Sequence, residues 1–324
     1  MTKEPAGQLH VRVAARHEEA ADIASFELVA SSGGQLPAFT AGAHVDVHIG
    51  QGLVRQYSLC NNPAERHRYL IAVQKEPMSR GGSKAMHETV KVGDTLTISA
   101  PRNHFALAPE AQRHLLLAGG IGVTPILCMA ESLAASGAAF EMHLCTRSVE
   151  RAAFRERIAR SNFAQDVHFH FDDGAAGQKL DIPLRLAQVP PGEHLYVCGP
   201  KGFMDAVLTT ARAGGWPESR LHYEFFAAEP ANSDSDQAFE IELAGSGRIV
   251  LVRQDQTALQ ALLDAGVEID SSCEQGVCGS CATRVLGGAP DHRDLYFTPE
   301  EHAANDQFTP CCSRAKTARL VLDL

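Results

Sequence analysis

The chain has 324 residues, of which 44% are hydrophobic and 21% are charged, and it carries a formal net charge of −10 at pH 7. Length predicts about two domains, and the composition excludes a disordered chain, a collagen-like fibre and a coiled coil. No segment approaches the ~18 consecutive apolar residues of a membrane helix, and the first twenty residues lack the apolar core of a secretion signal. We therefore expect a cytoplasmic protein without a membrane or nucleic-acid partner, since an acidic chain neutralises phosphates poorly.

Short segments in which apolar and polar residues alternate fill the first hundred positions, and turn residues such as Gly33-Gly34 separate them. Six such segments predict an antiparallel barrel or sandwich, with one helix from about Gly82 to Val90. We assign this domain to residues 1–108.

The pattern changes after His114, where apolar strands alternate with helical segments over residues 109–228. The predicted helices cover residues 125–135, 150–160 and 202–213. This order predicts a parallel sheet with helices on its faces. The polar segment 229–237 is predicted to be a linker, and residues 238–324 are predicted to form a small α+β domain around a cysteine-rich loop.

Nine cysteines, an odd number, argue against a disulfide framework, and five of them lie between residues 273 and 312. Cys273, Cys278 and Cys281 have the spacing C-x4-C-x2-C, and 29 residues separate Cys281 from Cys311. This spacing is typical of a plant-type [2Fe–2S] cluster. A structural zinc site is the alternative, but zinc favours separated cysteine pairs over three thiols on one loop.

Gly276 and Gly279 suit a loop that folds tightly around such a cluster. Residues 238–324 resemble plant-type ferredoxins. The predicted ligands are Cys273, Cys278, Cys281 and Cys311. Cys312 competes with Cys311 as the fourth ligand, and the family pattern favours Cys311.

Two glycine-containing turns each follow an apolar strand and open a helix, GGIGVTP at 119–125 and YVCGPKGFM at 196–204. Glycines let a phosphate approach closely, and a helix N-terminus supplies N–H groups and a positive dipole. Either turn alone would also fit tight packing. Together they resemble the NAD(P)-binding domain of the ferredoxin–NADP reductase superfamily.

That resemblance implies that the first turn passes the pyrophosphate and that the second lies beside the nicotinamide. The implied nucleotide-binding residues are Gly120, Gly122, Thr124, Arg147, Cys198, Gly199 and Pro200. Cys198 is the predicted catalytic residue near the reacting ring, and a buried structural thiol is the alternative. Arg147 could approach a 2′-phosphate, whereas Asp172 and Asp173 would disfavour one.

The segment RQYSL at 55–59 matches the R-x-Y-S motif of the same superfamily. Arginine supplies a fixed cation for a phosphate, and the helix that begins at 81–83 offers amides to it. The segment 72–75 would line the pyrimidine edge of a flavin, although Lys75 fits an exposed strand lysine equally well. The predicted flavin-binding residues are Arg55, Tyr57, Ser58, Ala72, Val73, Lys75, Gly81, Gly82 and Ser83.

The segment HYEFF at 222–226 closes the middle domain. Superfamily members place an aromatic residue from this region against the flavin. Phe226 is the predicted residue, both for flavin binding and for catalysis, with Phe225 as the alternative.

The three modules in this order resemble the phthalate dioxygenase reductase type, which includes the reductase components of vanillate demethylase. The resemblance covers essentially the whole chain, and PRNHFAL at 101–107 is close to the family pattern. It implies FMN rather than FAD, NADH rather than NADPH, and a Rieske-type oxygenase component as electron acceptor. The predicted function is electron transfer from NADH through FMN and the [2Fe–2S] cluster to that oxygenase, in aromatic catabolism.

Two alternatives remain open. The acceptor could be a cytochrome P450 or a separate ferredoxin, or the chain could be a redox sensor that uses the cluster without turnover. Residues 238–324 carry 7 basic and 13 acidic groups, which indicates docking to a partner with a positive surface. A monomer is the default expectation.

Overall fold

A computed structural model of the chain describes residues 8–50, 53–77, 81–175, 177–226 and 236–324. The chain forms two compact units, which divide after Glu224. Most of the predicted linker, residues 229–235, lies outside the described residues. Within the described ranges, no helix has the length and apolar character needed to cross a membrane.

The described part of the first unit begins with a sheet of six antiparallel strands. These are β1 (Gln8–Ala20), β2 (Ile23–Ala30), β3 (His44–His48), β4 (Val54–Ser58), β5 (Tyr69–Gln74) and β6 (Thr95–Ser99), and helix α1 (Gly82–Glu88) follows β5. Their spatial order is β4-β3-β6-β1-β2-β5, and a bridge between Leu59 and Ile71 joins its two ends into a barrel. Phe26 and Leu28 of β2 are fully buried and fill the interior, while Glu27 between them is only half-buried, as alternation predicts.

A parallel sheet makes up the rest of the described first unit. Its strands are β7 (Arg113–Gly119), β8 (Ala139–Thr146), β9 (Val167–Phe171), β10 (Glu193–Cys198) and β11 (Leu221–Glu224). Its helices are α2 (Val123–Ser136), α3 (Arg155–Ala159), α4 (Ile182–Leu186) and α5 (Lys201–Ala213). The order β11-β10-β7-β8-β9 places the reversal of strand order between β7 and β10, where parallel sheets bind ligands.

The helix predicted over residues 150–160 is interrupted in its first half, where a 3₁₀ turn at Val149–Arg151 ends before the α-helix begins. Phe154 adopts a left-handed backbone conformation with φ of 64°, and α3 begins only after it. The reason is burial, since the Phe154 ring is 1% exposed and the Arg157 guanidinium lies 5.8 Å from its centroid. Packing of one aromatic side chain thus overrides the helical pattern.

The second unit contains a mixed sheet and two short helices in its described residues. Its elements are β12 (Phe239–Leu243), β13 (Ile249–Val252), α6 (Ala258–Asp264), β14 (Thr283–Gly287), β15 (Pro290–Asp291), α7 (Pro299–Ala304), β16 (Gln307–Phe308), β17 (Arg314–Ala315) and β18 (Arg319–Leu322). The larger sheet has the order β13-β12-β18-β14-β16, and β15 pairs with β17. Leu262 of α6 packs with Phe308 and Leu320 in the core, as expected for a small α+β domain.

Candidate functional site

The two glycine turns of the parallel sheet meet where the strand order reverses. Strands β7 and β10 pair in parallel, with Cys198 opposite Ala118. A Cβ on Gly122 would overlap the carbonyl oxygen of Cys198, and a Cβ on Gly199 would lie 2.9 Å from Cα of Gly119. Glycine is therefore required for the backbones to touch, and this contact brings the two predicted nucleotide-binding turns together.

The remaining predicted residues of these turns lie at the same edge of the sheet. Gly120 has a positive φ of 52°, and the Thr124 hydroxyl donates to the carbonyl of Ile121 at 3.0 Å. Pro200 precedes α5 in extended conformation. This hydrogen bond lies within the turn itself. The role of Thr124 in nucleotide binding stays a prediction.

Arg147 lies exposed just after β8. The amide of Asp172 donates to the carbonyl of Thr146 at 3.0 Å, and the amide of Asp173 donates to the carbonyl of Arg147 at 3.2 Å. Arg147, Asp172 and Asp173, the residues predicted to decide between NADH and NADPH, therefore lie close together at the ends of β8 and β9, where backbone hydrogen bonds join the two segments.

Glu224 is a residue that sequence reasoning did not single out. It lies opposite Cys198 in the parallel pair of β10 and β11, and the Ser58 hydroxyl donates to its carboxylate at 3.3 Å. Burial raises the pKa of Glu224 to about 7, although the Ser58 hydrogen bond acts the other way. Its place at the carboxyl end of a parallel strand is the pattern that would have revealed it.

The neighbours of Glu224 are neutral at physiological pH. His44 Nδ1 lies 4.0 Å from the Glu224 carboxylate, and burial, followed by the charge of Arg102, lowers the pKa of His44 to about 4. Burial also raises the pKa of Cys198 well above its usual value, and Glu224 adds to this. Cys198 is therefore a thiol and not a nucleophilic thiolate, which suits a residue that packs against a ring.

Arg55 of β4 lies against the first turn of α1. A Cβ on Gly82 would lie 2.6 Å from Cγ and 2.8 Å from Nε of Arg55, so a larger residue there would have to displace the Arg55 side chain. Gly81 has a φ of 96°, and the Ser83 hydroxyl accepts from the amide of Glu76 at 3.1 Å. A guanidinium beside a glycine-containing turn fits the phosphate of a flavin.

The other predicted flavin residues lie on β4 and β5, which the bridge between Leu59 and Ile71 brings side by side. Ala72 and Val73 are buried in β5, so their backbone is what they can offer to a ring. Burial raises the pKa of Tyr57. These positions are compatible with the predicted flavin site, which stays a prediction.

Two predicted residues have other surroundings. The Lys75 ammonium pairs with Glu88 at 3.1 Å, and both side chains are well exposed, as in an ordinary surface ion pair. Phe225 and Phe226 are half-buried and belong to the second unit. That Phe226, with Phe225 as the alternative, packs against the flavin stays a prediction.

The cysteine loop has the backbone that a cluster requires. Gly276 and Gly279 both have positive φ, near 70°. The amide of Gln275 donates to Cys273 Sγ at 3.3 Å, and the amide of Ser280 donates to Cys278 Sγ at 3.4 Å. A hydrogen bond between the two thiols lowers the pKa of Cys278 to about 5 and raises that of Cys273.

The two adjacent cysteines near the end of the chain have different partners. The Cys311 thiol is hydrogen-bonded to Cys281 and Cys312, which raises its pKa. Cys312 Sγ instead lies 3.2 Å from the Thr309 hydroxyl and 3.8 Å from the Ser313 hydroxyl. Four thiols on one loop and one turn fit a [2Fe–2S] cluster, and the choice of Cys311 over Cys312 as fourth ligand stays a prediction.

Known proteins resemble this chain over its full length. Residues 241–316 match the 2Fe-2S iron-sulfur cluster binding domain, and residues 97–221 match the N-terminal domain of dimethylamine monooxygenase subunit DmmA-like proteins. Vanillate O-demethylase oxidoreductase from Pseudomonas sp. (strain HR199 / DSM 7063) is 54% identical over 98% of this chain and 100% of its own length. The chain belongs to the phthalate dioxygenase reductase and vanillate demethylase reductase family.

Other relatives agree with this assignment. The phthalate 4,5-dioxygenase oxygenase reductase subunit from Pseudomonas putida is 40% identical over 97% of this chain and 96% of its own. The solved structure of phthalate dioxygenase reductase covers 98% of both chains at 39% identity, with a TM-score of 0.81. The predicted family and multidomain fold are confirmed, and this oxidoreductase has the cofactors of its family, FMN, NADH and a [2Fe–2S] cluster.

Replacing Gly122 with alanine tests the backbone contact of the two turns. The φ of Gly122 is −60°, so any cost comes from overlap with Cys198 and not from backbone strain. Overpacking of this kind costs about 1–3 kcal/mol, and we expect Gly122→Ala to lower the Tm of the holoprotein by several degrees in calorimetry. Gly202→Ala is the matched control, since a Cβ there meets no atom within 4 Å. Equal Tm values for both variants would contradict the contact.

The buried Glu224 carboxyl should titrate near neutrality. We expect the infrared C=O band of a protonated carboxyl to be present at pH 6 and to disappear with a midpoint at about pH 7. This band should be missing from Glu224→Gln and retained in Glu218→Gln, which alters an exposed carboxyl. A midpoint near the ordinary glutamate pKa of about 4.3 would show that water solvates the Glu224 carboxyl.

Proposed function

We propose that this reductase transfers electrons from NADH through FMN and the [2Fe–2S] cluster to a Rieske-type oxygenase component. The observation that carries the proposal is the end-to-end similarity to vanillate O-demethylase oxidoreductases and to reductase subunits of phthalate dioxygenase and carnitine monooxygenase. A flavin supplies the conversion between the hydride of NADH and single electrons, and the protein sets orientation and environment.

The flavin-binding residues have distinct roles in this proposal. Arg55 and the amides of residues 81–83 hold the FMN phosphate, since a guanidinium and backbone amides match phosphate oxygens. Tyr57 and Ser58 of β4 face the ring, the backbone of Ala72 and Val73 lines its edge, and Lys75 completes that edge. Phe226, with Phe225 as the alternative, is the aromatic residue proposed for flavin binding and catalysis.

The nucleotide-binding residues converge on the carboxyl edge of the parallel sheet. Gly120, Gly122 and Thr124 let the pyrophosphate approach the start of α2. Cys198, Gly199 and Pro200 hold the nicotinamide, with the neutral Cys198 thiol excluding water from the path of the hydride. Asp172 and Asp173 beside Arg147 disfavour a 2′-phosphate, so the coenzyme is NADH.

The proposed domains are 1–108 for FMN, 109–228 for NADH, the linker 229–237 and 238–324 for the cluster. Nine free cysteines fit a reducing compartment, and we place the protein in the cytoplasm as a monomer. The excess of acidic over basic residues in 238–324 supports this domain as the surface that meets a positive patch on the oxygenase.

Cys311, not Cys312, is the proposed fourth cluster ligand beside Cys273, Cys278 and Cys281. We expect Cys311→Ser to lose the iron and the visible bands of the cluster, while NADH still bleaches the flavin. Cys312→Ser is the matched control and should keep two irons per chain. In the wild type the Cys312 thiol contacts the hydroxyls of Thr309 and Ser313, in addition to Cys311. The opposite result would assign the ligand to Cys312.

A panel of acceptors tests the function. We expect NADH to bleach the flavin and cluster bands within the mixing time of the assay, and denaturation to release FMN. A Rieske-type oxygenase should then reoxidise the protein in preference to a cytochrome P450 or a ferredoxin. The rate should fall ~10-fold or more at high salt, since opposite charges steer the encounter. A colourless reconstituted protein would contradict the proposal.

A second candidate acceptor is a cytochrome P450. The solved structure of an intact type IV self-sufficient cytochrome P450 monooxygenase matches 98% of this chain at 39% identity and a TM-score of 0.79. This chain corresponds to 41% of that protein. Faster reoxidation by a P450 than by any Rieske-type oxygenase in the same panel would favour this candidate.

A further inference from the structure

Two consecutive apolar side chains are exposed beside the cysteine loop of the second unit. Leu295 is 39% exposed and Tyr296 is 45% exposed. Among the large hydrophobic residues that are exposed in the described part of the chain, they are the only two adjacent in sequence. Single exposed apolar residues are ordinary on a protein surface, so it is the adjacency and the position of this pair that require an explanation.

The Tyr296 ring lies directly on the cysteine loop. It occupies the place that a Cβ on Gly279 would take. Gly279 follows Cys278, which is half-buried, whereas the other three predicted cluster ligands are each 3% exposed. The set of four cysteines is therefore most accessible on its Cys278 side, and the Tyr296 ring covers the backbone there.

The segment that carries the two side chains is held in one conformation. The amide of Leu295 donates to the carbonyl of Gly276 at 2.9 Å. The amides of Tyr296 and Phe297 both donate to the buried Asp294 carboxylate, at 3.2 and 2.9 Å. The Phe297 ring is 9% exposed and meets the Tyr296 ring edge-on, with centroids 5.0 Å apart. An aromatic side chain fixed in this way loses little conformational entropy when a partner binds, and such residues dominate the energies of interfaces.

The segments on either side of this pair are acidic. Residues 268–301 contain seven acidic and two basic residues. Both basic side chains are paired with aspartates, Arg284 at 3.7 Å and Arg293 at 2.6 Å. The exposed carboxylates of this segment are those of Glu268, Asp270, Glu300 and Glu301. An apolar pair in acidic surroundings is complementary to a partner that presents an apolar patch among lysines and arginines.

We propose that Leu295 and Tyr296 form the apolar centre of the surface that docks the Rieske-type oxygenase component. This inference rests on the proposed function and names the contact residues of that surface. Opposite charges speed the encounter, and buried apolar contacts slow the dissociation of the complex. One electron crosses at this surface, so that the cluster of the reductase is oxidised and that of the oxygenase is reduced, and no bond is made or broken.

A second pair of exposed apolar residues in the same unit provides the control. Ile249 and Leu251 of β13 are 48% and 59% exposed. They face away from the core, into which Val250 and Val252 point. Strand β13 is an edge strand of the larger sheet and does not belong to the cysteine loop. Leu251 is therefore an exposed leucine of the second unit that lies outside the proposed surface.

Binding kinetics of the full-length holoprotein test this proposal. The probe is the Rieske-type oxygenase that reoxidises the wild type fastest in the acceptor panel, immobilised for surface plasmon resonance. We expect Tyr296→Ser and Leu295→Ser each to raise koff about 10-fold and to leave the salt dependence of kon unchanged. Leu251→Ser and Tyr296→Phe should keep the wild-type koff, since the first alters another surface and the second retains the ring. Iron content should be the same in all five proteins.

A wild-type koff in both serine variants at positions 295 and 296, or an equal rise in Leu251→Ser, would overturn this inference alone. If Tyr296→Ser loses iron because its ring supports the loop, Leu295→Ser decides the question, since Leu295 is bonded to Gly276 through its backbone amide. Faster dissociation from a cytochrome P450 but not from the oxygenase would assign the surface to that partner and overturn the inference as well. A wild type that binds no Rieske-type oxygenase would contradict both the inference and the proposed function.

Discussion

A backbone contact between two turns, at Gly122 and Cys198, is the constraint on which the nucleotide half of the first unit depends. A Cβ at position 122 would overlap the Cys198 backbone. Glycine at this position therefore lets the ends of β7 and β10 come together at the reversal of strand order. Strand β11 continues this edge and places Glu224 beside Cys198. Ser58 of the barrel then reaches the same carboxylate, so that one contact in the sheet connects the predicted flavin and nucleotide sites.

Glu224 and His44 make the stability of the folded state depend on pH in opposite directions. Glu224 has a folded pKa near 7, so the folded state holds its extra proton and stability falls as pH rises from the unfolded value toward 7. His44 has a folded pKa near 4, so the unfolded state holds the extra proton and stability rises between about 4 and its unfolded value. Each shift corresponds to about 3 kcal/mol over its full range, and between pH 4.5 and 6.5 the fall in stability caused by Glu224 nearly cancels the rise caused by His44. Burying both groups in neutral form therefore costs about 3 kcal/mol in total, and this cost changes little with pH across that range.

The sequence predicts those features that depend on local spacing. Alternation predicts the barrel strands, and the C-x4-C-x2-C pattern predicts the loop that bears three cysteines with glycines at positive φ. Features that depend on packing between distant segments could not be predicted in this way. Phe154 shortens a helix because its ring finds a buried place, and Glu224 gains its importance only when β11 pairs with β10.

The cysteine loop lacks regular structure, so its shape depends on the groups that flank it. Arg314, three residues after Cys311, is 2% exposed and donates to the carbonyls of Gln256, Gln237 and Arg253 at 2.8, 3.0 and 3.2 Å. A buried guanidinium tolerates burial only with such acceptors, so this side chain fixes the turn of Cys311 to the segment before α6. The amide of Leu259 donates to the carbonyl of Pro310 at 2.8 Å. The Leu259 side chain packs with both Cys281 and Cys311. The first turn of α6 thus positions both parts of the four-cysteine set, which explains how ligands with 29 residues between them can form one site.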